Sequence, residues 1–164
     1  MNDKEAVMKY KEDFIKHNDT LNGTGYLDEL NTYEEWLKDT YGSMDKATVK
    51  DEWVCSIQYL AYNKKKQLVG MAQLRLDLND FLKEYGGHIG LSVAREFRNQ
   101  KYAKSILKDM IYMAKQSGIN PIMISCDTNN VYSKKLILSC NAQFIETRYC
   151  SQFDINVDVF NIYY

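Results

Sequence analysis

The chain has 164 residues, of which 45% are hydrophobic and 26% charged, and its 21 lysines and arginines nearly balance its 22 aspartates and glutamates. This length is typical of one domain with a sizeable core, so we expect a single domain over residues 1–164. The charge balance argues against a nucleic-acid-binding protein, which usually carries a strong basic excess.

Charged residues interrupt the N-terminal stretch MNDKEAVMKYKEDF, where a signal peptide would need an apolar run. No segment approaches the ~20 apolar residues that a membrane helix requires. The four cysteines form no CxxC pair and have no histidine at metal-ligand spacing, so we interpret them as reduced core residues. These features predict a cytoplasmic protein with no membrane anchor and no bound metal.

The first part of the chain predicts two helices followed by three strands. The helices lie at residues 3–18 and around 33–37, the second with Thr32 as its N-cap. The strands are rich in aromatic and apolar residues and lie at residues 53–62, 67–76 and 86–93. The polar turn between the first two strands predicts a hairpin.

The second part of the chain contains the strongest helical periodicity, over residues 103–117, which Gly118 is placed to end. A short helix follows later and ends at Asn141, since asparagine tolerates the left-handed conformation. The remaining elements are a buried strand, this short helix and two final strands, at residues 121–127, 130–139, 142–149 and 153–163. The order of elements predicts a mixed sheet with helices on its faces.

The segment VAREFRNQKYA joins the third strand directly to the strongly periodic helix. The start of a helix offers unpaired N–H groups and the positive end of the helix dipole, an arrangement that suits a pyrophosphate. Positive charge is concentrated around the same turn, at Arg95, Arg98, Lys101 and Lys104. Many helix starts carry basic residues without binding anything, so these residues alone leave an anion site and an ordinary helix start equally open.

Three segments, taken in order, resemble the GNAT acetyltransferases. Residues 98–103 are similar to the family's coenzyme A-binding motif, Arg/Gln-x-x-Gly-x-Gly/Ala. GGHIGLSV resembles the preceding strand of one bacterial branch, and ISCDTNNVYSKKLI resembles the following strand and helix of that branch. The resemblance extends over about residues 67–145. It implies an α/β (α+β) fold with a mixed, mostly antiparallel sheet, helices on both faces and a central parallel strand pair.

The resemblance also implies a function, which is transfer of an acetyl group from acetyl-CoA to a primary amine by direct attack on the thioester. The backbones of Leu91 and Val93 would bind the thioester carbonyl and the pantetheine arm, and Asn130 would contact that arm or the thiol. The turn that would hold the pyrophosphate comprises Arg98, Asn99, Gln100, Lys101, Tyr102, Ala103 and Lys104.

Two residues depart from the family pattern. Lys101 replaces the first glycine of the motif, and we expect a helical or bridge conformation there, because a left-handed lysine would be strained. Ile137 stands where many members have a tyrosine that protonates the departing thiolate. These departures support an alternative function, a non-catalytic acyl-CoA-binding sensor or scaffold of GNAT fold.

Two residues are candidates for accepting the proton of the amine. His88 shares a strand face with Gly90 and Ser92 and titrates near neutral pH, although we favour a structural histidine bonded to a neighbouring loop. Glu84, which could hold a water molecule for this purpose, is the second candidate. The acceptor would be a small-molecule or peptide amine, and a homodimer is left open.

Overall fold

In the computed structural model, residues 3–164 form helices and strands in the order predicted from the sequence. The α-helices are α1 (Asp3–Lys16), α2 (Tyr33–Gly42), α3 (Tyr102–Gln116) and α4 (Val131–Leu138). The strands are β1 (Ser56–Tyr62), β2 (Leu68–Arg75), β3 (Ile89–Val93), β4 (Ile122–Asp127), β5 (Gln143–Cys150) and β6 (Ile155–Ile162). A π-helical turn at Leu82–Gly86, which was not predicted, precedes β3. No helix in residues 3–164 is long and apolar enough to cross a membrane.

The strands form two antiparallel three-stranded sheets, in the orders β1-β2-β3 and β4-β6-β5. The predicted α/β (α+β) fold of antiparallel strands with helices is therefore confirmed. The expected central parallel pair is wrong in one respect, because β3 and β4 form no continuous ladder. They meet through an isolated antiparallel bridge between Gly87 and Ile124, just before β3. The imidazole ring of His88 accepts a hydrogen bond from the amide of Met123, a donor that a continuous ladder between the two strands would have used.

Local sequence signals explain where the helices begin and end. Thr32 and Glu35 form a reciprocal capping box at the start of α2, as the threonine predicted. Gly118 follows α3 with φ 75°, and Asn141 follows α4 with φ 63°, so both predicted left-handed stops are confirmed.

Helices cover both faces of the first sheet. The buried stripe of α3 packs on one face, where a side chain at Gly70 would begin 2.6 Å from the Cδ1 atom of Ile106. On the other face, α1 contributes Tyr10, whose hydroxyl donates to the Oγ atom of Ser92 on β3 at 3.0 Å. The first sheet is thus held rigidly between helices, and β3 is fixed with one free edge.

Candidate active site

Beyond the bridge at Gly87, β3 and β4 separate and leave a cavity of about 640 Å³ between the two sheets. Residues 89–91 of β3 line one side of this cleft and residues 124–127 of β4 line the other. Residues 89–91 of β3 pair with β2 on their outer edge, and beyond the bridge residue Ile124 no ladder within residues 3–164 joins β4 to β3. The cleft is therefore lined by two open strand edges.

The register of β3 decides which of its backbone groups face the cleft. The amide of Arg75 donates to the carbonyl of His88 at 2.8 Å, and the amide of Ala94 donates to the carbonyl of Val69 at 3.0 Å. In an antiparallel ladder, successive residues direct their backbone groups alternately to the partner strand and to the opposite edge. The backbone groups of Leu91, which lies at odd spacing between these bonds, therefore point away from β2 and towards the cleft.

Val93 shares this orientation, but part of its backbone is already used. The Nε atom of Arg98 donates to the Val93 carbonyl at 3.1 Å, and its Nη2 atom donates to Asp19 at 2.8 Å. Arg95 pairs with the same carboxylate at 3.2 Å. Both arginines are thus directed towards the end of β3 and the segment after α1. The turn keeps the positive charges of Lys101 and Lys104, which pair with no carboxylate of residues 3–164.

The turn between β3 and α3 has an unusual backbone. Asn99 and Lys101 both adopt left-handed conformations, with φ 61° and φ 68°. The expected helical or bridge conformation of Lys101 is therefore wrong. The conformation of the whole turn has prevailed over the preference of the lysine, and a hydrogen bond from the Gln100 side chain to the Glu96 carbonyl at 2.9 Å closes the turn.

This conformation leaves a run of backbone amides unused. The N–H groups of residues 99–103 donate no hydrogen bond to any group in the described chain, residues 3–164. Left-handed residues in a tight turn bring successive amides to one side, and such a concave array attracts anions. The run ends at the start of α3, where the helix dipole adds to the positive potential.

His88 lies at the junction of the two sheets. Its Nδ1 atom accepts a 3.0 Å hydrogen bond from the amide of Met123, so Nδ1 carries no proton in this arrangement. Burial lowers the pKa of His88 below its usual value. Glu84 is exposed and pairs with Arg148 at 3.5 Å. In the described chain, neither His88 nor Glu84 is among the residues that line the cavity.

The β4 side of the cleft contains the other residues singled out from the sequence. Asn130 lines the cavity and caps α4, where its Oδ1 atom accepts from the amide of Ser133 at 3.0 Å. Ile137 also lines the cavity and is 3% exposed, so it presents an apolar side chain there. Tyr132 is 82% exposed and lies outside the cavity lining.

Sequence reasoning missed an aromatic wall that lines one part of the cleft, called here the aromatic end. Its members are brought together from separate connections of the chain, and they are Tyr26, Trp53, Phe81, Tyr85 and Phe153. Tyr26 stacks on Trp53 with ring centroids 4.5 Å apart, and Phe81 contacts both Tyr85 and Phe153. The sequence signal was weak, because Tyr26, Phe81 and Tyr85 fall between predicted elements, whereas Trp53 and Phe153 begin predicted strands, where aromatic residues are ordinary.

The loop between α1 and α2 closes one face of this region through a glycine contact. A side chain at Gly23 would begin 2.2 Å from the carbonyl oxygen of Gly90 and 2.6 Å from the amide of Leu91. The loop backbone therefore lies directly on β3, beside the residue whose backbone faces the cleft.

Comparison with known proteins shows which family the chain belongs to. A family model described as the acetyltransferase (GNAT) family matches residues 24–141, which is more than half of the chain. The chain belongs to the GNAT acetyltransferase family. It is accordingly an N-acetyltransferase that uses acetyl-CoA as its co-substrate. Among curated proteins, none matches the sequence.

Solved structures of other GNAT acetyltransferases show the same fold at low sequence identity. A spermidine N-acetyltransferase mutant from Vibrio cholerae is similar with a TM-score of 0.65 and 10% identity, over 99% of this chain and 92% of that one. The microcin C7 self-immunity acetyltransferase, solved with acetyl-CoA and AMP, has a TM-score of 0.65 and 14% identity, over 98% of this chain and 84% of that one. A putative streptothricin acetyltransferase from Bacillus anthracis, solved with acetyl-CoA, has a TM-score of 0.54 and 17% identity, over 66% of this chain and 62% of that one.

Proposed function

We propose that the acetyl transfer takes place in the cleft between β3 and β4, on a primary amine that enters from the aromatic wall. One observation carries this assignment. The open edge of β3 faces a cavity of about 640 Å³ and leads into a turn whose amides, at residues 99–103, have no partner in the described chain. A long cofactor with an anionic centre fits both features at once.

In this proposal the pyrophosphate of acetyl-CoA binds the amides of residues 99–103, and Lys101 and Lys104 supply positive charge. The side chain of Arg98 is engaged with Val93 and Asp19, so it positions the turn and contributes little direct contact. The pantetheine arm lies along the inner edge of β3, between the amides of Val93 and Leu91. Asn130 offers its side-chain amide from the other side of the cleft.

The amide of Leu91 is placed to polarise the thioester carbonyl. The amine nitrogen attacks the carbonyl carbon, negative charge develops on the oxygen, and the carbon–sulfur bond then breaks to release the coenzyme A thiolate. A fixed N–H donor stabilises that oxyanion more than water would, because it needs no reorientation as the charge develops. Holding both reactants in the cleft supplies much of the remaining rate.

The proton of the amine goes to water in this proposal. His88 has its Nδ1 atom engaged with Met123, and Glu84 pairs with Arg148 outside the cavity lining. Ile137 cannot protonate the thiolate, so that step also relies on water and on nearby N–H groups. The four free thiols are consistent with a cytoplasmic location.

The test is incubation of the protein with acetyl-CoA and a library of primary amines, with coenzyme A and acetylated product separated by chromatography and mass spectrometry. We expect acetyl-dependent release of coenzyme A with at least one amine. The proposed site would be contradicted if no amine in the library caused release of coenzyme A and calorimetry detected no binding of acetyl-CoA at millimolar concentration.

Charge reversal at the turn tests the location of the cofactor. The double variant Lys101→Glu, Lys104→Glu should weaken acetyl-CoA binding by about tenfold or more, because two attractive charges near a pyrophosphate become repulsive. The control variant Lys108→Glu, on an exposed part of the same helix, should change the Kd much less. Equal effects of the two variants would place the pyrophosphate elsewhere.

A further inference from the structure

Arg75 lies at the C-terminal end of β2, and its guanidinium reaches the aromatic end of the cleft. The Nη1 atom donates to the carbonyls of Gly86 and Gly87, at 3.2 and 3.0 Å. Arg75 also lines the cavity, and its Nη2 atom lies 3.4 Å from the point where a side chain on Gly90 would begin. The guanidinium therefore lies beside the residue that precedes Leu91.

This arginine has no counter-ion. The other three arginines each pair with a carboxylate, namely Arg95 and Arg98 with Asp19, and Arg148 with Glu84 and Glu146. Within residues 3–164, no carboxylate lies within 4.0 Å of the Arg75 guanidinium. Burial lowers the pKa of Arg75, but an arginine stays charged at any physiological pH. A partly buried, uncompensated cation is costly unless an anion joins it.

The remaining donors of Arg75 have a useful geometry. Nη1 is occupied by the two glycine carbonyls, and neither Nε nor Nη2 has a hydrogen-bond partner among the described residues. The Nε and Nη2 groups form one edge of the planar guanidinium. Such an edge matches the two oxygens of a carboxylate in a bidentate pair.

We propose that Arg75 binds a carboxylate of the acceptor, so that the acceptor is an amine bearing a carboxylate, such as an amino acid or a short peptide. This inference rests on the proposed function, in which the aromatic end of the cleft receives the acceptor. Tyr26 and Trp53 line the same end and would contact an apolar part of that molecule. A polyamine is disfavoured, because its additional cations would meet the uncompensated charge of Arg75.

The experiment compares acceptors that differ only in the carboxylate. Amino acids and dipeptides are tested against their carboxamides, with spermidine as a polycation, and kcat/KM is measured for each. We expect the wild-type protein to favour the free acids by about tenfold or more, the usual scale of a charge-assisted bidentate contact. Equal rates for acids and carboxamides, or a preference for spermidine, would overturn the proposal.

Variants of Arg75 separate binding from a purely structural role. Arg75→Gln should lower kcat/KM for the free acids about tenfold more than for the carboxamides, and Arg75→Lys should show a smaller loss of discrimination. Calorimetry with acetyl-CoA should give the wild-type Kd for both variants. An equal loss for both acceptor classes would show that Arg75 only ties β2 to the turn at Gly86 and Gly87.

The two proposals fail in different ways. If no amine releases coenzyme A from the wild-type protein and calorimetry detects no binding of acetyl-CoA, the proposed site is wrong whatever Arg75 does. If amines are acetylated with the same kcat/KM whether or not they carry a carboxylate, the proposed site is retained and the proposed role of Arg75 is wrong. Should Arg75→Gln fail to fold, the matched acceptors still decide the matter on the wild-type protein alone.

Discussion

His88 and Met123 join the two sheets by a reciprocal pair of hydrogen bonds. The amide of His88 donates to the carbonyl of Met123 at 2.8 Å, and the amide of Met123 donates to the Nδ1 atom of His88 at 3.0 Å. This pair lies next to the bridge between Gly87 and Ile124 and fixes the point beyond which β3 and β4 have no further ladder.

Replacing His88 with alanine should reduce stability more than catalysis. The change leaves the amide of Met123 without its acceptor, which costs about 1–3 kcal/mol and lowers the Tm by several degrees. The specific activity of the folded fraction should stay within a few-fold of wild type. A loss of about 10²–10⁴-fold at unchanged Tm would instead identify His88 as the general base.

The pH dependence of stability gives an independent test of His88. Burial places the pKa of folded His88 below the usual value of 6.5, so the unfolded chain takes up this proton first as the pH falls. The stability that neutral His88 contributes should be fully present above about pH 6.5. It should be lost as the pH falls from there through the lower pKa of the folded state. Urea midpoints from pH 8 to pH 5 measure this, and His88→Gln should flatten the slope. An unchanged slope in the variant would contradict the assignment.

Lys101→Gly should stabilise the protein. Glycine relieves the strain of a left-handed lysine, and its greater freedom in the unfolded chain offsets part of the gain, so we expect up to about 1 kcal/mol. Lys104→Gly is the matched control, since Lys104 has a helical backbone and should lose about 1 kcal/mol. Thermal unfolding of both variants measures the contrast. Destabilisation by the two changes alike would mean that Lys101 carries no strain.

Asp158 should support the second sheet at neutral pH. It is 1% exposed and accepts hydrogen bonds from Lys134, Thr147 and Thr128. Burial raises its pKa, but these hydrogen bonds outweigh the burial and leave the pKa below the usual value of 3.8. Asp158→Asn should cost about 2–3 kcal/mol at pH 7, because the three donors lose a charged acceptor.

The cost of Asp158→Asn should shrink in acid. The stability that Asp158 contributes is present above the unfolded pKa near 3.8 and is lost as the pH falls through the lower folded pKa. Chemical unfolding at pH 7 and pH 3 measures the change. The control Asp109→Asn, at an exposed position of α3, should be nearly neutral at both pH values. A cost that does not depend on pH would show that the charge of Asp158 is unimportant.

Gly23→Ala should impair the cleft, and Gly118→Ala provides the control. Both glycines have positive φ, at 69° and 75°, so alanine is strained at either position. A new Cβ atom at Gly23 would meet β3 at 2.2 Å, whereas nothing lies within 4 Å of one at Gly118. We expect about 1 kcal/mol of destabilisation at Gly118 and distinctly more at Gly23, with reduced turnover. Equal effects on Tm and on activity would contradict the contact between Gly23 and β3.

Local signals predicted most of the fold. The N-cap at Thr32 and the left-handed stops at Gly118 and Asn141 depend on neighbours a few residues away, and all three are confirmed. The conformation of Lys101 was predicted wrongly, because the backbone of the whole turn outweighs the preference of one side chain. The open cleft could not be predicted from the sequence either, because it depends on a hydrogen bond between the ring of His88 and the amide of Met123, 35 residues away.

The residues of the candidate site also differ in whether the sequence alone could predict them. The proposed cofactor-binding residues are contiguous enough to be recognised as motifs. The aromatic wall and Arg75 could not be predicted, because residues from five different parts of the chain meet there only after folding. Arg75 in particular lies in a stretch that reads only as a strand, and its missing counter-ion is visible only in three dimensions.

The aromatic wall has a consequence for how this enzyme can diversify. Phe81 and Phe153 lie in connections outside the strands, whereas the proposed cofactor-binding residues lie within one continuous stretch, residues 91–130. Mutations in the two connections can therefore accumulate without changing any residue of the proposed coenzyme A-binding stretch. A directed-evolution library restricted to residues 80–85 and 151–154 would explore new acceptors on an intact acetyl-donating scaffold.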